Sequence, residues 1–143
     1  MGKLLAGGVI VDNRDRVMLW RRNTGDKKQW ELPGKIVDSH ETLEEAVVEG
    51  IEKRLGVDAI WVGEIVCTAR FTDGEDEFKA ELLSAKIVDD DPIAPQTAAV
   101  DRVDFFAFNA LEDLQRQGKL SPSVEHLMHL VYRYDLTLGD FTP

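Results

Sequence analysis

The segment from Thr42 to Gly56 constrains the fold of this chain more than any other. Thr42 and Glu45 have the spacing of a capping box, in which each side chain bonds the other residue's backbone N–H. Gly56 is a typical helix stop. The apolar residues in between recur at helical spacing: Val47, Val48, Ile51 and Leu55. We therefore predict an amphipathic helix from Thr42 to Leu55, although Gly50 in its middle costs about 1 kcal/mol relative to alanine.

Short β-branched and aromatic runs lie on both sides of this helix. The runs 4–11 and 17–20 are joined by Asp and Asn residues, which predicts a β-hairpin. Trp30-Glu31-Leu32 leads into Pro33-Gly34, a chain breaker. Further strands are predicted over 59–71, 78–88 and 103–108, and further helices over 110–117 and 121–134. This order indicates an α+β sandwich, and the length of 143 residues favours a single domain, 1–143.

The segment from Leu32 to Val57 is similar to the Nudix box, whose pattern is G-x5-E-x7-R-E-U-x-E-E-x-G-U with U a bulky aliphatic residue. Aligning Glu41 with the first glutamate places Ile51, Gly56 and Val57 on matching positions without a gap. Other features are typical of the family: a strand ending Leu19-Trp20-Arg21-Arg22, the lead Trp30-Glu31-Leu32-Pro33-Gly34 and a leucine-rich C-terminal helix. The resemblance to the Nudix hydrolase superfamily covers nearly the whole chain. It implies an α/β/α sandwich, a mixed β-sheet with the box helix and a C-terminal helix.

The remaining positions of the box depart from the pattern. Its first glycine is Lys35, its arginine is Glu49, and three of its glutamates are Gly50, Lys53 and Arg54. In the family, the helix carboxylates hold Mg²⁺ or Mn²⁺, which bridges a diphosphate and activates water. Positions 50, 53 and 54 share one helix face, which here is neutral and cationic. Such a face repels a dication, so the resemblance implies the fold while the box is degenerate in its chemistry.

Glu41 is the one acid that the box retains, and it is the candidate catalytic residue and the candidate metal ligand. It could hold a residual metal ion or water, or it could be an anion favoured by the helix N-terminus. At 100° per residue, the other helix acids fall on a third, solvent-facing side and are poor replacements for the lost ligands: Glu45, Glu49 and Glu52. Glu49 is expected to pair with Lys53 at i+4.

Three cations near the box are candidate ligand-binding residues. Lys53 and Arg54 could grip a phosphate in place of the metal's charge. The alternative is that they are solvated cations near the helix C-terminus, where the dipole also favours them. Lys35 lies in the box loop, which is expected to face the same ligand cleft as Lys53 and Arg54. Its position favours the phosphate interpretation.

Arg21, Arg22 and Trp30 are further candidate ligand-binding residues. The two arginines end a strand beside the box loop, and similar arginines in the family often face the nucleotide. Alternation along the strand turns one of the two away. Trp30 could stack a base or could pack in the core. An acidic cluster at a predicted turn could reach over the cleft or form a solvated hairpin tip: Asp73, Glu75, Asp76 and Glu77.

Composition limits the partners and the compartment. The chain has 27 acidic and 17 basic residues, a net charge of −10, which argues against binding duplex nucleic acid. The single cysteine, Cys67, excludes an intramolecular disulfide. No apolar run approaches the roughly 18 residues that span a bilayer. We expect a cytoplasmic protein with no membrane contact, and a homodimer is compatible with a family in which dimers are frequent.

Two functions therefore remain open. The first is binding of a nucleotide or nucleoside-diphosphate-linked ligand, with weak or no Mg-dependent pyrophosphohydrolase activity, as in a pseudoenzyme. The second is an atypical Nudix hydrolase, using Mg or Mn, of nucleoside diphosphates linked to another moiety, such as a nucleotide sugar, ADP-ribose or a dNTP. A partner-binding domain without a small ligand is a third class. The sequence leaves the ligand, any residual hydrolysis and the oligomeric state undecided.

Overall fold

The computed structural model describes residues 2–22, 29–57, 60–88 and 100–142. Within these ranges the chain forms seven β-strands, three α-helices and a terminal 3₁₀ turn at Leu138–Phe141. In chain order the strands and helices are β1 Gly2–Val9, β2 Val17–Arg22, β3 Trp30–Glu31, β4 Gly34–Ile36, α1 Leu43–Leu55, β5 Ile60–Asp73, β6 Asp76–Ile87, β7 Val100–Phe106, α2 Phe108–Arg116 and α3 Pro122–Tyr134.

The strands form two sheets. The larger has the order β4-β1-β6-β5, with β1 parallel to β6 and antiparallel to β4, so it is mixed. The smaller has the order β3-β2-β7 and is antiparallel. The long hairpin of β5 and β6 turns at Gly74, whose positive φ of 64° favours glycine. The α+β fold class with a mixed sheet is confirmed.

The predicted hairpin of the first two strands is wrong. Only an isolated bridge joins Val11 and Val17, beside a bond from Met18 N to Ile10 O. The turn itself forms, because the Asp12 carboxylate accepts bonds from the Arg16 backbone and guanidinium. The strands then diverge, because β1 is an inner strand with partners on both sides while β2 enters the other sheet. A non-local pairing therefore replaces the local one.

Helix α1 forms as predicted, with its capping box intact. Glu45 N donates to Thr42 Oγ1 at 3.1 Å, Thr42 N donates to Glu45 Oε1 at 3.1 Å, and Gly56 ends the helix with φ 68°. The buried side of α1 packs on one face of the larger sheet and on β2, in a cluster that includes Ala6, Met18, Trp20, Ala46, Ile51 and Leu83. The opposite face of the larger sheet packs against α3.

Strand β4 was not predicted, because Pro33-Gly34 reads as a chain breaker. It pairs with β1 through Leu5↔Ile36 and Ala6↔Lys35. Position 34 requires glycine, since a Cβ there would lie 2.0 Å from Ala6 O. Because side chains alternate along a strand, Lys35 shares the α1 face with Ala6. Among the described residues no helix is long and apolar enough to cross a membrane.

Candidate functional site

The loop before α1 is tied to that helix by Lys35. Its Nζ donates to Glu41 Oε1 at 2.8 Å and to Asp38 Oδ2 at 3.2 Å. It also forms an ion pair with Glu49 Oε2 at 3.7 Å. The Lys35 and Glu41 side chains are only 16% and 12% exposed, so this pair is shielded from water. The loop, β4 and α1 therefore meet at one ammonium group.

Glu41 is held in its charged form. Its Oε1 accepts the Lys35 bond and a second bond from the Asp38 backbone N–H at 2.9 Å. The Lys35 ammonium, followed by the Asp38 N–H, lowers the pKa of Glu41 from 4.5 to about 2. The same contact raises the pKa of Lys35 above its ordinary value. Glu41 Oε2 is buried and has no hydrogen-bond partner among the described residues, so one oxygen of this carboxylate is left over.

Glu49 lies closer to this site than sequence analysis predicted. The pairing with Lys53 is present, at 2.8 Å. The side chain is 39% exposed, however, and it also reaches Lys35, which the prediction of a mostly solvent-facing side did not include. A helical wheel shows only the direction in which each side chain leaves the helix. It does not include side chains of neighbouring strands, such as Lys35 of β4, which reaches Glu49. The lysine at the first position of the box was the signal that could have revealed this contact.

Gly50 lies where α1 touches β4. A Cβ at this position would be 3.2 Å from the carbonyl carbon and oxygen of Gly34 and 3.3 Å from Lys35 Cγ. These distances are shorter than ordinary carbon contacts of about 3.5–4.0 Å. The close approach explains a glycine in mid-helix, and it places the Lys35 stem directly over the helix backbone.

Arg54 packs on a buried tryptophan. Its Cζ lies 5.4 Å from the centre of the Trp20 ring, within cation–π range. Trp20 is fully buried, and its indole N–H donates to Glu31 Oε1 at 2.9 Å. Lys53, one residue earlier, is 72% exposed. The helix face of positions 50, 53 and 54 thus carries a glycine and two cations.

A divalent metal does not fit these residues. Three carboxylates near the loop, those of Asp38, Glu41 and Glu49, already surround an ammonium. Two further cations occupy the α1 face. In the part of the chain that the structure describes, no group of three or more His, Cys, Asp and Glu residues could hold a metal ion. The donor set that Mg²⁺ or Mn²⁺ prefers, several free oxygens, is not offered here.

A cleft lies on the other face of the larger sheet. Leu5 and Ile36 adjoin Ala6 and Lys35 in the register, so they point away from α1. The cleft has a volume of about 290 Å³, and its lining includes Leu5, Arg22, Leu32, Phe71, Phe78 and Ser121. The Phe71 and Phe78 rings stack at 5.2 Å, which gives the cleft an aromatic wall.

The polar groups that line the cleft include an exposed arginine and a buried hydroxyl. Arg22 pairs with Glu31 at 3.0 Å and is 47% exposed on its side chain. Ser121, the N-cap of α3, makes no side-chain capping bond, and its buried Oγ has no partner among the described residues. The residues of the acidic turn separate, because Asp73 lines the cleft while Asp76 pairs with Lys3 at 3.2 Å.

Arg21 and Trp30 lie away from this cleft. Arg21 binds both carboxylate oxygens of Asp101, each at 2.9 Å, and this bond raises the pKa of Arg21. Trp30 is 6% exposed and packs edge-on against Phe106 at 4.8 Å. Of the six residues predicted to bind ligand, the structure places Arg22 at the cleft, and Lys35, Lys53 and Arg54 at α1 or facing it. Their ligand contacts stay predictions.

Residues 3–129 match the family model of the NUDIX domain, which is most of the chain. The chain therefore belongs to the Nudix family, whose hydrolases generally use divalent metal ions and bind nucleotide-type substrates. No curated protein sequence matches it.

Solved structures show the same fold. A NUDIX hydrolase from Nitrosomonas europaea matches with a TM-score of 0.75 at 16% identity, over 100% of this chain and 93% of that one. A MutT protein from Methanosarcina mazei Go1 matches with a TM-score of 0.73 at 19% identity, over 94% and 93%. An ADP-ribose pyrophosphatase from Streptococcus suis matches with a TM-score of 0.60 at 17% identity, over 75% of each chain.

Proposed function

We propose that this protein binds a nucleotide or nucleoside-diphosphate-linked ligand, with weak or no Mg-dependent pyrophosphohydrolase activity. The observation that carries the proposal is the bond from Lys35 to Glu41, the one acid that the box retains, at 2.8 Å. That acid is neutralised by the chain itself, and Gly50, Lys53 and Arg54 replace the other family carboxylates. Metal-assisted hydrolysis needs the ligands that these residues replace.

The cleft supports the ligand half of the proposal. A base has a flat, apolar surface that stacks on aromatic rings, and Phe71 and Phe78 line one wall. Arg22 at the rim offers donors to a phosphate or sugar oxygen. Ser121 Oγ is a buried hydroxyl that gains a partner if a polar group of the ligand reaches it.

The phosphates of the ligand are assigned to Lys53 and Arg54 rather than to Lys35. Since α1 packs on the opposite face of the larger sheet from the cleft, such a ligand has to extend from the cleft past Arg22 and Glu31 to the Arg54–Trp20 pair. The ammonium of Lys35 has three N–H donors and already faces three carboxylates. Arg54 is held on Trp20, which fixes the guanidinium without using its hydrogen bonds. A preorganised guanidinium suits the paired oxygens of a diphosphate. The assignment rests on the positions of these side chains on α1.

An atypical hydrolase is the second candidate, and one observation favours it. Glu41 is ionised over the whole physiological range, and its buried Oε2 has no partner among the described residues. Such an oxygen could orient a water molecule beside a bound substrate. A relative of the same fold is called an ADP-ribose pyrophosphatase. The substrates proposed for this candidate are nucleoside diphosphates linked to another moiety, such as nucleotide sugars, ADP-ribose or dNTPs.

A turnover assay and a binding assay separate the two candidates. The purified chain is incubated with dNTPs, ADP-ribose and nucleotide sugars in the presence of Mg²⁺, Mn²⁺ or EDTA. Thermal stabilisation without turnover is the expected result, since a ligand that binds the native state raises its melting temperature. Metal-dependent turnover that Glu41→Gln abolishes, and that Glu44→Gln on the exposed first turn of α1 leaves intact, would instead establish the hydrolase.

The cleft is tested with a matched pair of arginines. Arg22→Ala is expected to weaken the binding of the stabilising ligand about tenfold, because it removes a charge-assisted hydrogen-bond donor. Such a donor contributes about 1.5–3 kcal/mol, and tenfold corresponds to the low end of that range. Arg14→Ala changes an exposed arginine in the β1–β2 turn and is expected to bind as the wild type.

If neither ligand stabilisation nor turnover is found, the third class, a partner-binding domain, is favoured. A single domain over 1–143, a cytoplasmic location and a homodimer stay predictions.

A further inference from the structure

Positions 35 and 50 face each other across the contact between β4 and α1, and they depart from the box in complementary ways. The Nudix pattern has glycine at position 35 and glutamate at position 50, whereas this chain has Lys35 and Gly50. A Cβ on Gly50 would lie 3.3 Å from Lys35 Cγ. The lysine stem therefore covers the point where a side chain at position 50 would begin. The Gly34 carbonyl lies 3.2 Å from the same point, so the lysine stem and the backbone of β4 together limit position 50.

The cation at the centre of the acidic residues differs in the same way. In the Nudix family the acids of the box gather around a divalent cation. Here the acids of this region gather around Lys35 Nζ, at 2.8 Å for Glu41, 3.2 Å for Asp38 and 3.7 Å for Glu49. The ammonium is mostly shielded from water, so it attracts these carboxylates more strongly than an exposed lysine does.

We propose that Lys35 is a built-in cation that replaces the metal ion of the family. Its ammonium bonds Glu41 and Asp38 and forms an ion pair with Glu49 at the junction of the loop and α1, and its stem lies over the point where the side chain of the missing glutamate would begin. The junction is thus held together without a metal, and the acids are not available to Mg²⁺ or Mn²⁺. The inference concerns the protein without ligand, so it is tested separately from the ligand proposal.

The test exchanges the two residues. Full-length wild type, Lys35→Gly, Gly50→Glu and the double variant are compared for Mn²⁺ binding by calorimetry. The double variant is expected to bind at least tenfold more tightly than either single variant, because only it combines the added carboxylate with the loss of the ammonium. The proposal is overturned if the double variant binds no more tightly than Gly50→Glu, or if the wild type already binds as tightly as the double variant.

A second measurement does not depend on whether substitutions at position 50 fold. Lys35→Met keeps an unbranched stem over Gly50 and removes the ammonium, with its charge and its hydrogen bonds to Glu41 and Asp38. Amide signals of residues 38–41 are expected to broaden with added Mn²⁺ in this variant and not in the wild type. Lys53→Met is the matched control, since Lys53 also contacts Glu49 at 2.8 Å but is 72% exposed. Equal broadening in the wild type and Lys35→Met, or equal broadening in both lysine variants, contradicts the proposal.

Discussion

Gly50→Ala is expected to destabilise the protein, although alanine is the better helix former. At an exposed position in mid-helix, replacing glycine with alanine gains about 0.8–1 kcal/mol. Gly50 is buried, and an added Cβ would meet Gly34 C and O at 3.2 Å and Lys35 Cγ at 3.3 Å. The lysine stem can move aside. The Gly34 carbonyl cannot easily do so, because β4 is fixed in register against β1 through Gly7↔Gly34.

The sign follows from the two magnitudes. Adding a methyl group to a well-packed contact costs about 1–3 kcal/mol. Subtracting the helical gain of about 1 kcal/mol leaves a net loss of about 1 kcal/mol, with a range of about 0–2 kcal/mol. For a chain of this size a loss of 1 kcal/mol lowers the melting temperature by about 3 °C.

Urea denaturation measures the free energy of unfolding of both proteins, with thermal melts as a check. The helical contribution is calibrated in the same helix by comparing Lys53→Ala with Lys53→Gly, because position 53 is 72% exposed. That difference is expected to be about 1 kcal/mol in favour of alanine. If Gly50→Ala raises the free energy of unfolding by a similar amount, the close contact between α1 and β4 does not exist and the reasoning is refuted.

Three further predictions concern Glu41, Ile51 and Glu81. Because the folded pKa of Glu41 is lowered from 4.5 to about 2, the unfolded chain binds more protons in that interval. The stability contributed by Glu41 is therefore complete above about pH 4.5 and is lost as the pH falls toward 2. In an unfolding series from pH 6 to 2, the fall of the unfolding free energy with decreasing pH should be smaller in Glu41→Gln than in the wild type. An identical pH dependence in the two proteins excludes the Lys35–Glu41 pair. Ile51→Ala should cost about 2–5 kcal/mol in urea melts, since Ile51 is fully buried between α1 and both sheets, and a loss under 1 kcal/mol disagrees with that packing. Glu81→Met should be neutral or stabilising by about 1 kcal/mol, because Glu81 is 7% exposed, its Oε1 accepts no hydrogen bond among the described residues, and its ion pair with Lys79 Nζ is long, at 3.8 Å; a clear loss of stability contradicts this.

Local interactions made α1 predictable from the sequence. Thr42, Glu45 and Gly56 act within the helix and its two ends, so their spacing is sufficient to define it. Arg21 and Arg22 have different partners, Asp101 and Glu31, but the register of β2 against β7 shifts between them, so their alternation stays a prediction. What depends on one helix and its immediate neighbours in sequence can be derived from a single chain.

Non-local contacts were the source of the errors. The hairpin between β1 and β2 failed because β1 takes β6 as its partner, with Gly7 opposite Leu82. Strand β4 was missed because Pro33-Gly34 ends a local pattern, while Gly34 is required by its approach to Ala6. A helical wheel contains no neighbouring strand, so it does not show that Lys35 reaches Glu49.

Trp20 has a consequence for the optical properties of the protein. The Arg54 guanidinium of α1 lies over the indole ring of Trp20. The indole N–H donates to Glu31, which also pairs with Arg22. An indole responds to charges beside its ring with a shift in emission, and its burial keeps that signal separate from solvent. Of the three tryptophans, Trp61 is 52% exposed and reports on solvent instead. The chain thus carries an internal fluorophore at the point where the α1 face and the cleft rim are connected through shared side chains.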